Sequence, residues 1–381
     1  MKKIRLFTPG PCTVPEEALL EMARPFEHHR TAWFKEVIKD CTEKLQKIFL
    51  TTNEVLIITG SGTAAMEGAI VGCHPAGSKA LVCENGKFSE RWGLICDQYG
   101  IANMRCKVEW GKPIDPAVVA DHIAKDKSIT SVIVVHSETS TATASDLEAI
   151  GKICRQHNKL LLADCITSAG ALPLRTDDWG VDVLITGSQK ALMLPPGLGF
   201  AAVSPRAWEV IEANKAQHSF YVNYNKARKS AKQSDTPYTP AHLLVRGLRV
   251  TLDLLLNEGL ENVWKRVAGM AAATRAAASA MNVQLFSQRP ADSVTAFNVP
   301  APVVEKELRK MLREKFGIHF AGGQDAIEGK IVRMSHMGFI DSIDTLGAIA
   351  AFEHSLHKLG HNFTLGAGVA AAQKVFVERG M

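Results

Sequence analysis

The 381-residue sequence has no apolar run approaching the length of a membrane span. After Met-Lys-Lys, only Ile4, Leu6 and Phe7 precede Pro9-Gly10-Pro11, too little apolar chain for a secretory leader. No membrane role is expected, and the cytoplasm is the expected compartment. The eight cysteines all lie between Cys12 and Cys165 and include no Cys-x-x-Cys pair, so they read as free thiols in a reducing environment. A Gly-x-Ser-x-Gly elbow is missing, which removes the serine hydrolases built on it. Metal ligands are scarce: His28 and His29 are adjacent and point apart, and Cys154 with His157 is one isolated pair, so no metal is expected. Charge of one sign is not concentrated, because 44 basic and 39 acidic residues are scattered for a net +5. That balance suits small anions and gives no nucleic-acid face, the densest basic run, Lys226 to Lys232, reading as a surface loop.

What is present describes a globular chain, 46% hydrophobic and 22% charged, long enough for two domains. Short apolar segments near residues 55–59, 79–83, 102–108, 131–136, 160–164 and 181–186 alternate with amphipathic helical patterns. This is the signature of an α/β fold with a mostly parallel sheet covered on both faces. Residues 199–204 follow too closely for a helical crossover and are expected to run antiparallel. Helices dominate residues 206–281, and a smaller α/β unit follows. The expected organisation is an N-terminal arm over 1–15, a large domain over 16–257, a small C-terminal domain over 258–360 and an appendage over 361–381.

Four constellations carry chemistry. Val181-Asp182-Val183-Leu184-Ile185-Thr186 breaks at Gly187 into Ser188-Gln189-Lys190, with Pro195-Pro196-Gly197 just beyond, so Lys190 is delivered at a strand's end in a backbone-controlled loop. Lysine in such a place can form a Schiff base with a carbonyl if its surroundings deprotonate it. Asp164 ends the preceding strand at the same rim, where open α/β sheets bind ligands and where a buried carboxylate needs a cation. Gly60-Ser61-Gly62-Thr63-Ala64-Ala65 joins a strand to a helix and predicts a phosphate site at the helix N-terminus. The same stretch fits the dinucleotide pattern Gly-x-Gly-x-x-Ala with Glu84 as the ribose acid, so an NAD(P)-dependent oxidoreductase stands as the alternative. Glu138-Thr139-Ser140-Thr141 places an acid among hydroxyls after a further strand, and Arg333, after the strand 330–332, offers a guanidinium for a carboxylate.

Taken in order, Thr8-Pro9-Gly10-Pro11, Ser61 to Glu67, Glu138 to Thr141, Ala163-Asp164, Gly187 to Leu192 and Arg333 to Gly338 resemble the class V aminotransferases of the pyridoxal-phosphate fold type I. These include alanine–glyoxylate and serine–pyruvate aminotransferases. The resemblance implies a large domain with a mostly parallel seven-stranded sheet, a smaller C-terminal α/β domain, and pyridoxal 5'-phosphate as cofactor. It implies that Lys190 holds the cofactor as a Schiff base and moves the α-proton, and that Asp164 keeps the pyridine nitrogen protonated. Phe88 would stack on the ring where many relatives have Trp, Thr139 would approach the ring's edge, and Ser61, Gly62, Thr63 and Gln189 would hold the phosphate. Tyr238 and Thr239 would reach a neighbouring subunit's phosphate, making a homodimer with composite sites, and Gly10 and Arg333 would meet the substrate carboxylate. The implied reaction moves an amino group from a small amino acid such as alanine or serine to a 2-oxo acid such as glyoxylate or pyruvate, an aminophosphonate donor being an alternative. Glu27-His28-His29-Arg30 departs from the commoner Gly-His-Arg near the substrate mouth, and Ala142 stands where many relatives have Gly.

Overall fold

The structure is a computed structural model that describes residues 3–25 and 27–381. Met1 and Lys2 of the expected arm lie outside the described residues. Seven strands form the central sheet: β1 Glu54–Thr59, β2 Lys79–Glu84, β3 Ala102–Lys107, β4 Ile129–Val135, β5 Leu160–Asp164, β6 Val183–Gly187 and β7 Leu198–Val203. Their spatial order is β1-β7-β6-β5-β4-β2-β3. All neighbouring pairs are parallel except those of β7, which runs antiparallel to β1 and β6. The ten-residue link between Gly187 and Leu198 is a loop, too short to carry a crossover helix, and it turns the chain straight back.

Alternation along the strands builds two cores. Leu81, Cys83, Val132, Val134, Leu161 and Leu184 point to the face covered by Ala32–Phe49, Pro116–Lys125 and Leu147–Gln156. Ala80, Val82, Ile133, Val135, Leu162 and Ile185 point to the other, covered by Gly62–Cys73, Lys87–Gln98 and Pro205–Ala213. Because both faces are buried, the strands carry apolar residues at consecutive positions. Asp182 is the exception, just before β6: its carboxylate accepts from Leu161 N (2.9 Å) and Ser204 Oγ (2.8 Å), tying β5 to the start of Pro205–Ala213.

A second sheet of three antiparallel strands has the order β8 Val294–Asn298, β10 Ile331–Ser335, β9 Ala321–Gly322. Arg333 lies inside β10, between Ala296 and Ala321, and does not follow the strand as the sequence suggested. Met334 and Ser335 extend the pairing because Thr295 and Val294 continue opposite them. Near the chain's start Arg5–Leu6 pairs in parallel with Ile318–His319, which brings the following Pro9-Gly10 segment to Lys190. The last stretch forms the helix Ala367–Arg379, which packs along Leu260–Ala280. Ala372 and Phe376 are buried, and Gly368 sits where a Cβ would fall 2.8 Å from Met281 Sδ. Among the described residues no helix is long and apolar enough to cross a membrane.

Candidate active site

The parallel strands β1, β2, β4, β5 and β6 end at one rim, and the antiparallel β7 begins there, with Leu198 opposite Thr59 and Gly199 opposite Gly187. A cleft of about 630 Å³ opens at this rim, lined by Ser61, Gly62, Thr63, Phe88, Thr139, Asp164, Gln189 and Lys190 of the expected set. Arg91, Val135, Ser137 and Ile166 complete it.

Lys190 follows β6 in a turn and is only 8% exposed. Its Nζ donates to the carbonyl of Pro9, while Cys12 N donates to the carbonyl of Gln189 (3.0 Å), so the arm is fastened over the lysine at two points. Gly10 adopts φ +128°, and a Cβ there would overlap Lys190 Nζ and Cδ, so this position requires glycine twice over. Burial, aided by Arg333 and Arg91, pulls the Lys190 amine down to about 8 against the opposing pull of Cys12 and Asp164. A lysine in that range is neutral in about a tenth of molecules at pH 7, far more than an ordinary lysine, and can act as nucleophile or base.

Asp164 ends β5 and is buried. Oδ1 accepts from Ile166 N (3.0 Å) and Oδ2 from the indole Nε1 of Trp92 (3.0 Å). Burial pushes its carboxyl up to about 6, and the two hydrogen bonds hold it lower than burial alone would. Such a group is poised for a cationic partner.

At the other end of the cleft the helix Gly62–Cys73 begins. Ser61 is extended at its N-cap and its side chain makes no capping bond, so the hydroxyl and the first N–H groups are available to an anion. Gln189 Oε1 is buried without a protein partner. Close approach is required here too: a Cβ on Gly199 would lie 2.7 Å from Ser61 O, and one on Gly62 2.7 Å from Ile166 Cδ1.

The helix Lys87–Gln98 supplies two residues to the cleft's wall, Phe88 and Arg91, and a third, Trp92, that lies behind it. Phe88 holds its ring centroid 6.0 Å from Lys190 Nζ. Arg91 stacks on that ring at 5.0 Å and donates through Nη1 to Thr63 Oγ1 (3.2 Å). Trp92 reaches Asp164. Glu138 anchors the helix start by accepting from Ser89 N (2.8 Å) and Phe88 N (3.4 Å), with Ser140 Oγ on the same carboxylate (2.6 Å). Arg91 and Trp92 escaped the sequence reading. Their one visible signal was the i, i+3, i+4 spacing from Phe88, which puts all three on one helix face.

Thr139 donates through Oγ1 to Thr167 Oγ1 (3.1 Å), and its carbonyl accepts from Arg333 Nη1 (2.9 Å). Arg333 also donates through Nε (3.0 Å) and Nη2 (2.6 Å) to the carbonyl of Gly322. Three of its five N–H groups are thereby used, leaving one on each terminal nitrogen, the pair that meets a carboxylate side by side. Burial lowers this guanidinium to about 10.

Tyr238 and Thr239 do not line this cleft. They border a groove with Ile57, Thr59 and Tyr221, and Tyr238 stacks on Tyr221 at 5.4 Å. Glu84, the ribose acid of the nicotinamide alternative, is buried in an ion pair with Arg105, with Lys107 at 3.5 Å, and does not line the cleft. Among the described residues no three His, Cys, Asp or Glu side chains converge as a metal set.

The family model for class-V aminotransferases matches residues 18–341. Over 380 residues the chain is 41% identical to a protein of Synechococcus sp. (strain PCC 6716) named as the small subunit of a soluble hydrogenase, covering 98% of both chains. It is 36% identical over 380 residues to the serine–glyoxylate aminotransferase of Hyphomicrobium methylovorum, covering 97% of this chain and 94% of the other. The crystal structure of ureidoglycine–glyoxylate aminotransferase from Bacillus subtilis superposes with a TM-score of 0.94 at 28% identity, covering 99% of both chains.

The chain belongs to the class V aminotransferases. Its fold is that of the pyridoxal-phosphate enzymes of fold type I, and pyridoxal 5'-phosphate is its cofactor. The cleft fits that molecule's chemistry at three places: for the phosphate a helix N-terminus whose Ser61 hydroxyl makes no capping bond, a buried carboxylate for the pyridine nitrogen, and a buried amine for the aldehyde. The nicotinamide reading is thereby set aside.

Proposed function

We propose that this aminotransferase moves the amino group of a small amino acid, such as alanine or serine, to a 2-oxo acid such as glyoxylate or pyruvate. The observation that carries this reading is the cleft shared by the buried carboxylate of Asp164, which ends β5, and the buried amine of Lys190, which follows the adjacent β6, with the Arg333 guanidinium bonded to the carbonyl of Thr139 on the cleft's wall. The bound cofactor supplies an electron sink for the charge that develops at the substrate α-carbon.

Lys190 is the residue that holds the cofactor and, once released, carries the proton from the α-carbon; its lowered basicity suits both tasks. Asp164 keeps a proton on the pyridine nitrogen. Ser61, Gly62, Thr63 and Gln189 hold the phosphate, Phe88 covers the ring, and Thr139 borders it. Arg333 receives the substrate carboxylate, and Gly10 leaves room beside Lys190 for the small substrate. The hydrogenase name of one relative points to no residue of this cleft. Two relatives named for glyoxylate transamination support the acceptor class. Eight buried unpaired thiols support a reducing compartment such as the cytoplasm.

Tyr238 and Thr239 are read as reaching the phosphate of a second subunit. Support comes from their place outside the chain's own cleft, beside the exposed aromatic rings of Phe220 and Tyr221. The test of the whole reading is direct. The purified protein should be yellow, borohydride should fix the chromophore on Lys190 in a peptide map, and Lys190→Ala should lower transamination by roughly 10³-fold or more. A panel of amino donors against glyoxylate and pyruvate identifies the substrates. A colourless protein that binds NADH would sink the proposal.

A further inference from the structure

The hydrogen bond from Trp92 to Asp164 joins two groups 72 residues apart in the chain, both withdrawn from solvent. Trp92 is fully buried among Ala80, Val82, Ile133, Val135 and Leu162, and helical periodicity alone makes it a core residue. A core position on that face would accept Phe or Leu. The indole N–H, however, is donor-only and sits 3.0 Å from Oδ2, and among the described residues no other side chain donates to the carboxylate. The remaining donor, Ile166 N, is a backbone group on Oδ1 and is fixed by the turn. Among the described residues, Trp92 is therefore the one side chain whose hydrogen bond can tune this carboxylate.

Resting on the reading of Asp164 as the pyridine partner, we propose that Trp92 is a positioning residue that holds Asp164 in its ionised form, so that the shared proton stays on the cofactor's nitrogen. A pyridine nitrogen and a buried carboxyl are bases of comparable strength, so a single donor decides which of them keeps the proton. Desolvation favours the neutral pair, in which the proton sits on Asp164 and the ring loses its charge. Donation by the indole stabilises only the carboxylate and moves the proton to nitrogen, with no change in the total proton count. The charged groups facing Asp164 are Arg91 on the same helix as Trp92, Glu138 beyond β4 and Lys190 beyond β6, with the Cys165 thiol next in sequence. Arg91 works with the indole and Glu138 against it, and burial already outweighs the lowering groups, so removing the indole raises the carboxyl further.

The test replaces Trp92 with benzothienylalanine, which keeps the ring's shape and substitutes sulfur for the N–H. Trp92→Phe serves as a second variant, and circular dichroism checks the fold of both. In the cofactor-free protein, carbon NMR of labelled aspartate, assigned through Asp164→Asn, follows the carboxyl. The expected result is an upward shift of its titration by roughly one to two pH units in both variants. In the loaded protein, nitrogen NMR of labelled pyridoxal phosphate should report a protonated ring nitrogen in the wild type and loss of that proton in the variants. Turnover should fall about tenfold while the KM for the amino donor holds. An unmoved Asp164 titration in folded variants, or a ring nitrogen protonated equally in all three proteins, would overturn the role of Trp92 alone. An unprotonated ring nitrogen already in the wild type would overturn the reading of Asp164, and the proposal with it.

Discussion

At the scale of single residues, Asp164 carries a sign that is unusual for a carboxylate. Its folded value of about 6 lies above the ordinary 3.8, so the folded protein holds this proton more tightly than the unfolded chain between those limits. Stability from this group is present at low pH and is lost as pH rises through the window, a change of at most about 3 kcal/mol. In the cofactor-free protein, Asp164→Asn should therefore gain melting temperature relative to wild type as pH climbs from about 4 to about 6, then level off. Thermal unfolding across that range checks it; a difference that shrinks with rising pH would contradict the assignment. Gly10→Ala makes a second residue-level case. The added methyl meets Lys190 Nζ at a backbone angle that disfavours any side chain. Activity should fall by roughly 10²-fold or more while the far-ultraviolet dichroism stays that of the wild type. Lys190 and Asp164 were legible in the sequence because Asp164 closes a strand and Lys190 stands in the turn just after the next, and strand ends at one rim converge. Trp92 was not, since an apolar periodicity announces burial and says nothing of a hydrogen bond to a residue 72 positions away.

At the scale of elements, strands and helices were legible because their periods differ, and the return strand β7 because its connection is short. The order β1-β7-β6 was not, since no local pattern names a strand's lateral neighbour; it emerges when β7 pairs on both sides. The position of Arg333 within β10 was missed for the same reason: the strand's length is set by Val294 and Thr295 opposite. Asp182 is the clamp of this region. Asp182→Ala leaves the buried Leu161 N–H unpaired and removes the acceptor of Ser204, which itself caps Pro205–Ala213 through Ala207 N (3.1 Å). Denaturant unfolding should show a loss of about 2 kcal/mol, with turnover at low denaturant unchanged.

At the scale of the whole molecule, the family was legible because its motifs recur in order along nearly the full chain. The proposal of a partner surface at Tyr238 and Thr239 rests on that resemblance, as the two residues carry no chemistry by themselves. If sites are shared between subunits, two inactive variants complement each other. Mixed Lys190→Ala and Thr239→Ala subunits should form hybrid dimers in which one of the two sites pairs an intact Lys190 with an intact Thr239. Activity should reappear on co-expression to a fraction of wild type, and its absence in a verified hybrid would place Thr239 in its own subunit's site.

The parallel pairing of Arg5–Leu6 with Ile318–His319 joins segments more than three hundred positions apart, and the chain that leaves it carries the carbonyl of Pro9 to Lys190. The cover of the lysine is thereby tied to the small sheet's neighbourhood through continuous backbone. A substitution that loosens the Ile318–His319 strand would reach the amine from outside, without altering one side chain that lines the cleft.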